Sequence, residues 1–127
     1  MKKDLKDTTF IIPIRIESED RLRNVITVCC FLLETFDTKI ILKEIDNTSV
    51  FQERALPQIK EFVGDAIDNL THIFEKSDPD DHVFYRMRYL NEMLDLCDTD
   101  IVANYDCDVL VPVSTYLQAQ DMIQNQG

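Results

Sequence analysis

Three short runs of the chain are apolar and rich in β-branched residues. They are residues 8–14 (TTFIIPI), residues 38–46 (TKIILKEID) and residues 101–105 (IVANY). The first run has no polar alternation, which is typical of a strand that is covered on both faces. Because Pro13 lacks an N–H donor, we expect the ladder of the first strand to end there.

The segment between the first two runs has the period of an amphipathic helix. Ser18 is placed to cap its start, and Glu19 and Asp20 follow in the first turn, where the helix dipole favours acids. Apolar residues recur at spacings of three and four and form a stripe: Leu22, Val25, Ile26, Cys29, Leu32, Leu33 and Phe36. Strand, helix, strand is a βαβ unit, so we predict a parallel sheet.

Three further segments are predicted to be helical. Residues 57–75 place a set of apolar side chains on one helical face: Ile59, Phe62, Val63, Ala66, Ile67, Leu70, Ile73 and Phe74. Residues 83–97 indicate a helix after a short extended entry, and Pro112 marks the start of a closing helix. The predicted order is β, α, β, α, α, β, α. This is an α/β, Rossmann-like fold with a mostly parallel sheet flanked by helices.

Composition narrows the classes of function. At 127 residues and 45% hydrophobic, the chain has the size of one domain with a core. Thirteen Lys and Arg against 24 Asp and Glu give a formal net charge of -11, which opposes nucleic-acid binding. A ligand with phosphates would therefore need a few well-placed arginines or a bridging divalent cation.

The cysteines and the first residues bear on the compartment. The four cysteines show no CxxC or Cys/His spacing for zinc, so we expect buried or half-buried reduced thiols. The apolar stretch near the start, FIIPI, is too short for a signal peptide or a transmembrane segment. We therefore expect a cytoplasmic protein, either free or peripheral to a membrane.

Charged residues follow each predicted strand. Pro13 and Arg15 end the first, Glu44 and Asp46 end the second, and the segment 106–108 ends the third. Ligands of open α/β sheets bind outside the carboxyl ends of the strands. Two aspartates spaced i and i+2 on a tight turn offer oxygen ligands that suit Mn²⁺ or Mg²⁺, and the cation would bridge to a diphosphate. The simpler alternative to a ligand site is that these charged residues lie in solvent-exposed loops.

Four short blocks carry a resemblance to a known family. The block YDCDVLVP resembles the "DxD, hydrophobic pair, Pro" signature of metal-dependent GT-A glycosyltransferases, especially the HDVDLLP form of β-1,4-galactosyltransferase-like and chondroitin-polymerase-type domains. FIIPIRIES is similar to their first strand with its IPFRNR loop, and IILKEID is similar to their second strand ending in ViEQ. FYRMRYLN matches FNRaxLLN, with Phe84, Arg86, Leu90 and Asn91 at the same spacing.

The resemblance implies that residues 1–127 form the donor-nucleotide half of a family-2-like GT-A domain. The implied reaction transfers a sugar from a nucleotide diphosphate sugar to a hydroxyl of a glycan or other acceptor. The expected donor is a UDP-linked sugar. Asp106 and Asp108 would hold Mn²⁺ or Mg²⁺, which screens the charge on the leaving diphosphate. The nucleotide would be bound by Pro13, Arg15, Glu44, Asp46, Phe84, Arg86, Asn91 and Asp106.

The chain also departs from this family. Glu17 stands where the relatives have a second arginine, and Tyr105 replaces their histidine. The relatives need roughly twice this length for the domain, so we expect the general base beyond Gly127. His72 and His82 are interpreted as surface or edge histidines. Two other functions stay open: a metal-dependent nucleotidyl or phosphoryl transferase that uses the same aspartates, and a non-catalytic module with an acidic interaction surface.

Overall fold

The computed structural model describes residues 2–77, 86–104, 118–119 and 122–123, apart from the side chains of Arg86, Met87 and Asn104. Within these residues the chain forms four strands and three α-helices. The strands are β1 (Lys3–Ile14), β2 (Phe36–Asp46), β3 (Leu70–Lys76) and β4 (Ile101–Asn104). The helices are α1 (Glu19–Thr35), α2 (Leu56–Val63) and α3 (Arg86–Leu94). A π-helical turn, Phe51–Ala55, precedes α2, and a 3-10 helix, Gly64–Asn69, follows it.

The four strands form one parallel sheet in the order β3-β2-β1-β4. Ile14 of β1 lies opposite Glu44 of β2, and Glu44 in turn lies opposite Phe74 of β3. The predicted α/β class, with a parallel sheet flanked by helices, is therefore confirmed. Because all the strands run the same way, their carboxyl ends meet at one edge, which we call the carboxyl edge.

The first strand does not end at Pro13. Pro13 is in register with Lys43, and Ile14 continues the ladder opposite Glu44. The expectation that the ladder stops at Pro13 is therefore wrong by one residue. A proline removes a single N–H donor, which is tolerated near the end of a strand.

The predicted start of α1 is confirmed, and its buried stripe is confirmed in part: Ile26 is only half-buried, and Val28, which was not predicted, is buried. The Ser18 hydroxyl accepts a hydrogen bond from the Arg21 N–H at 3.1 Å, and Glu19 and Asp20 occupy the first turn. The buried residues of the helix are Leu22, Val25, Val28, Cys29, Leu32 and Leu33. The next residue after the helix, Phe36, already belongs to β2, so helix and strand join without a loop.

The predicted helix over 57–75 is wrong in its second half. The α-helix ends at Val63, and Gly64 follows with φ of 61°, a backbone conformation that favours glycine. Leu70–Lys76 then pairs with β2 as a strand. Phe62, which was predicted to share one helical face with Ile59 and Val63, is 67% exposed. The apolar residues spaced by three and four that predicted one helix thus belong partly to α2 and partly to β3, and these two elements bury different faces.

The sheet is buried on both faces. One core cluster lies between the sheet and the helices α1 and α2, and it includes Phe10, Ile12 and Leu42. The second lies under α3 and includes Ile11, Ile41, Ile45, Tyr89, Leu90 and Met93. Cys29, Cys30 and Cys97 are free thiols, buried or half-buried as predicted, while Cys107 lies outside the described residues. Of the described helices, none has the length and apolar character needed to cross a membrane.

Candidate functional site

The carboxyl edge brings two of the predicted site residues, Arg15 and Asp46, together. Arg15 directly follows β1, and Asp46 is the last residue of the neighbouring β2. On the other side of β1, Asn104 of β4 lies opposite Ile11, so β4 runs toward the same edge. Pro13 is buried within β1, and Asn91 is exposed on α3. The predictions for Phe84, Asp106 and Asp108, and for the side chain of Arg86, lie outside the described residues.

Arg15 connects the ends of the two central strands. Its side chain is half-buried, and its Nε–H donates a hydrogen bond to the backbone oxygen of Ile45 at 3.0 Å. This bond holds the guanidinium beside the end of β2. The chain therefore has a fixed positive group at the edge where the sequence predicted a nucleotide-binding arginine.

Glu44 is fully buried, and both of its carboxylate oxygens have partners inside the protein. Oε1 accepts hydrogen bonds from the Ser49 hydroxyl at 2.6 Å and from Nε2–H of His72 at 3.2 Å. Oε2 accepts the backbone N–H of Phe51 at 3.0 Å. The His72 ring also packs on the Phe51 ring, with 4.8 Å between their centroids. Glu44 therefore fastens the β2–α2 connection to β3.

These partners decide the ionisation of Glu44. Burial by itself raises the pKa of the carboxyl group, but the hydrogen bonds from His72, Ser49 and the Phe51 amide together outweigh it. The pKa of Glu44 is consequently lowered from its ordinary value, and the group is an internal carboxylate at neutral pH. A direct contact with a nucleotide, which the resemblance implies for this residue, would require the side chain to become accessible, since it is 0% exposed.

Asp46, two residues further along β2, lies at the rim instead. Its side chain is half-buried, and Oδ1 accepts the backbone N–H of Asn47 at 2.7 Å. Its backbone oxygen accepts the N–H of Ser77 at 2.9 Å, which ties the ends of β2 and β3 together. Asp46 is thus the acid of β2 that lies where a ligand at the carboxyl edge would bind.

His72 lies on β3 rather than on the predicted middle helix. Its strand is at an edge of the described sheet, but the side chain is only 12% exposed and contacts the buried Glu44, a position that the interpretation as a surface or edge histidine did not predict. The acid partner in contact with it was missed, because Glu44 is distant in sequence and its inward orientation depends on the pairing of β2 with β3. His82 lies outside the described residues.

Sequence reasoning also missed a charged cluster on the opposite face of the sheet. Lys43 is 7% exposed and contacts Glu75 of β3 and Glu92 of α3. Arg88 of α3 contacts the same two glutamates and lies over the ring of Tyr89. The available signal was a lysine between Ile41 and Ile45, since alternate residues of a strand share a face. We call these residues the Lys43 cluster.

The metal-binding prediction concerns residues that follow β4. Among residues 2–77 and 86–104, no group of three or more His, Cys, Asp or Glu side chains is arranged to hold a metal ion. The predicted ligands Asp106 and Asp108 come directly after this range. Their carboxylates are hard oxygen donors, a donor set that fits Mn²⁺ or Mg²⁺.

We compared the chain with models of protein families, with curated proteins and with solved structures, and none of the three comparisons gives a match. The functional interpretation therefore depends on the residues and on the geometry of the sheet.

Proposed function

We propose that the chain is the donor-binding part of a metal-dependent glycosyltransferase that moves a sugar from a UDP-linked donor to an acceptor hydroxyl. The observation that carries this proposal is the parallel strand order β3-β2-β1-β4. It sets Arg15 and Asp46 at the edge toward which β4 runs, and the segment with Asp106 and Asp108 continues from β4. This supports the proposal because open α/β sheets bind ligands outside the carboxyl ends of their strands.

Each residue of the proposed site has a role that its chemistry suits. The Arg15 guanidinium attracts the phosphates of the donor, and the Asp46 carboxylate accepts hydrogen bonds from ribose hydroxyls or from the base. Glu44 acts indirectly, by holding the β2–α2 connection against β3. When bound by Asp106 and Asp108, Mn²⁺ supplies positive charge that stabilises the leaving diphosphate.

The net charge of the chain makes the metal central to binding. A nucleotide diphosphate is an anion, and it would approach a protein of formal charge -11. The cations Arg15 and Lys76 at the described edge do not offset that repulsion, whereas a divalent cation between carboxylates and phosphates does so locally. We therefore expect UDP and Mn²⁺ to bind together rather than independently.

Thermal unfolding tests this expectation. The melting temperature is measured with UDP, with Mn²⁺, with both and with EDTA. Because UDP and Mn²⁺ are expected to bind together, the shift with both ligands should exceed the sum of the separate shifts. As a scale, a ligand present at about 100 times its Kd stabilises the folded state by about 2.7 kcal/mol. Asp108→Ala should abolish the excess. Asp65→Ala is the matched control, because Asp65 is an exposed acid in the 3-10 helix that leads into the opposite end of the sheet.

The measurement distinguishes the alternatives. Equal UDP shifts with Mn²⁺ and with EDTA would contradict the bridging role of the metal. Equal shifts from UDP, ATP and GTP in the presence of Mn²⁺ would favour the nucleotidyl or phosphoryl transferase. The absence of any nucleotide shift would leave the non-catalytic interaction module.

A further inference from the structure

Lys43 is a buried lysine in the middle of the sheet. Its side chain is 9% exposed, and Nζ donates a hydrogen bond to Oε2 of Glu92 and lies 3.4 Å from Oε1 of Glu75. The same Nζ is 5.5 Å from the centroid of the Tyr89 ring. An ammonium group that is removed from water needs carboxylate partners at close range. Its partners here come from two other elements, β3 and α3.

Arg88 completes the Lys43 cluster. Its guanidinium binds Glu75 at 2.7 Å and Glu92 at 3.4 Å, and it lies 4.7 Å from the centroid of the Tyr89 ring. Two cations thus share two carboxylates, and the formal charge of the cluster is zero. The hydrogen bond from Lys43 is the main reason why the pKa of Glu92 is lowered. The cluster connects β2, β3 and α3.

The contacts of α3 show how it lies along β2. Asp98, which follows the helix, is 3.2 Å from Lys39 near the beginning of β2. Glu92 contacts Lys43, which is four residues, or about 13 Å, closer to the carboxyl edge. The helix therefore runs antiparallel to the strand. Its first residue, Arg86, precedes Glu92 by about 9 Å of helix and so begins at the carboxyl edge.

The apolar contacts of α3 attract it to the sheet without fixing its place along β2. Tyr89, Leu90 and Met93 are buried against the second core cluster. Hydrophobic attraction has no direction, and a helix of nine residues depends on its packing for stability. A buried polar or charged group, in contrast, can set register, because a shifted arrangement leaves its charge unpaired.

We propose that Lys43 is a positioning residue that fixes α3 along β2 and thereby sets the place of Arg86 at the carboxyl edge. The fixing of α3 stands on the contacts of the Lys43 cluster alone. The consequence for ligand binding rests on the proposed function and on the expectation, from the family resemblance, that Arg86 binds the donor nucleotide.

Two measurements test the two parts separately. Amide hydrogen exchange follows residues 88–94 of α3 in Lys43→Met and in the matched control Lys39→Met, whose lysine lies on the same face of β2 but is 51% exposed. We expect exchange in α3 to accelerate about tenfold or more in Lys43→Met relative to α1, and to change little in the control. Calorimetric titration then measures the affinity for UDP with Mn²⁺. We expect about a tenfold loss in Lys43→Met, with partial recovery in Lys43→Arg.

Each result supports or overturns a defined part of the inference. Unchanged exchange in α3 would refute the fixing role of Lys43. Faster exchange with unaltered UDP affinity would refute its connection to the nucleotide site. If the wild-type protein does not bind UDP, both the proposed function and the connection between Lys43 and the nucleotide site are refuted. Hydrogen exchange would still test whether Lys43 fixes α3. If Lys43→Met does not fold, Glu92→Gln carries the same test, with Asp95→Asn as its control, because Asp95 is an exposed acid in the turn that directly follows the helix.

Discussion

The Glu44 carboxylate takes hydrogen bonds from Ser49, His72 and the amide of Phe51 in the interior of the protein. An ionised group is stable there only because each oxygen faces donors. Glutamine at this position has one carbonyl oxygen, so its amide NH₂ would either face the Phe51 N–H or require the Ser49 hydroxyl and the His72 ring to accept instead of donate. The site thus suits a carboxylate, which accepts from all three partners at once, better than an amide of the same size.

We predict that Glu44→Gln lowers the free energy of unfolding by about 1–3 kcal/mol, the usual cost of leaving a buried donor without an acceptor. Urea unfolding followed by circular dichroism measures this change. Glu61→Gln on the exposed side of α2 is the control, and it should stay within about 0.5 kcal/mol of the wild type. Equal stability of the two variants would contradict the anchoring role of Glu44.

The same variant has an expected pH dependence. Because the pKa of Glu44 is lower in the folded protein than the ordinary value of about 4.3, its stabilising contribution is complete above that value and is lost as the pH falls through the folded pKa. The difference in stability between wild type and Glu44→Gln should therefore shrink below about pH 4. The difference is the proper measure, since the pKa values of Glu19 and Glu92 are lowered as well. A difference that grows in acid would refute the expected sign.

At the level of elements, α2 offers a test of which face is buried. Ile59 is completely buried, whereas Phe62, three residues later, lies beside a groove of about 550 Å³ between α1 and α2. We predict that Ile59→Ala costs about 2–5 kcal/mol of stability, while Phe62→Ala stays within about 0.5 kcal/mol. Urea unfolding of the two variants gives both values. A large loss in Phe62→Ala would mean that the orientation of α2 is wrong.

The success of the sequence interpretation followed the strength of the local signals. The predictions for α1 and for the central strands were confirmed, because a cap, a first turn and an unbroken apolar run are all local features. The strand β3 was missed, because its short segment LTHIFEK fits a helical spacing as well as a strand. Its pairing with β2 decides its conformation, and that contact is not local.

The sequence predicted the positions of some residues of the candidate site and not of others. The rule for strand ends found Arg15 and Asp46 at the carboxyl edge. The same rule also selected Glu44, although β2 continues to Asp46. The elements packed on the two faces of β2 bury both Lys43 and Glu44. Alternation predicts that these neighbours point to opposite faces. Whether a face is covered, and by which charges, depends on α3 and β3.

For the whole molecule, the formal charge of -11 makes electrostatic repulsion a general feature of the folded state. The described ion pairs at the surface, such as Lys39 with Asp98 and Arg54 with Glu19, are largely exposed and contribute little each. Salt weakens both effects, since the Debye length falls from about 30 Å at 0.01 M to about 8 Å at 0.15 M. Because the repulsion involves many more charge pairs than the surface ion pairs do, we expect the weakening of the repulsion to have the larger effect on stability.

We therefore predict that the melting temperature rises by several degrees when NaCl is raised from about 0.01 M to about 0.15 M. Differential scanning calorimetry measures the change, and choline chloride at the same ionic strength should give the same increase if screening is the cause. A decrease would show that specific ion pairs outweigh the net repulsion. Lys43→Met, which raises the negative charge by one, should retain the salt-dependent increase, because the Lys43 side chain is only 9% exposed and is therefore largely removed from the solvent ions that do the screening.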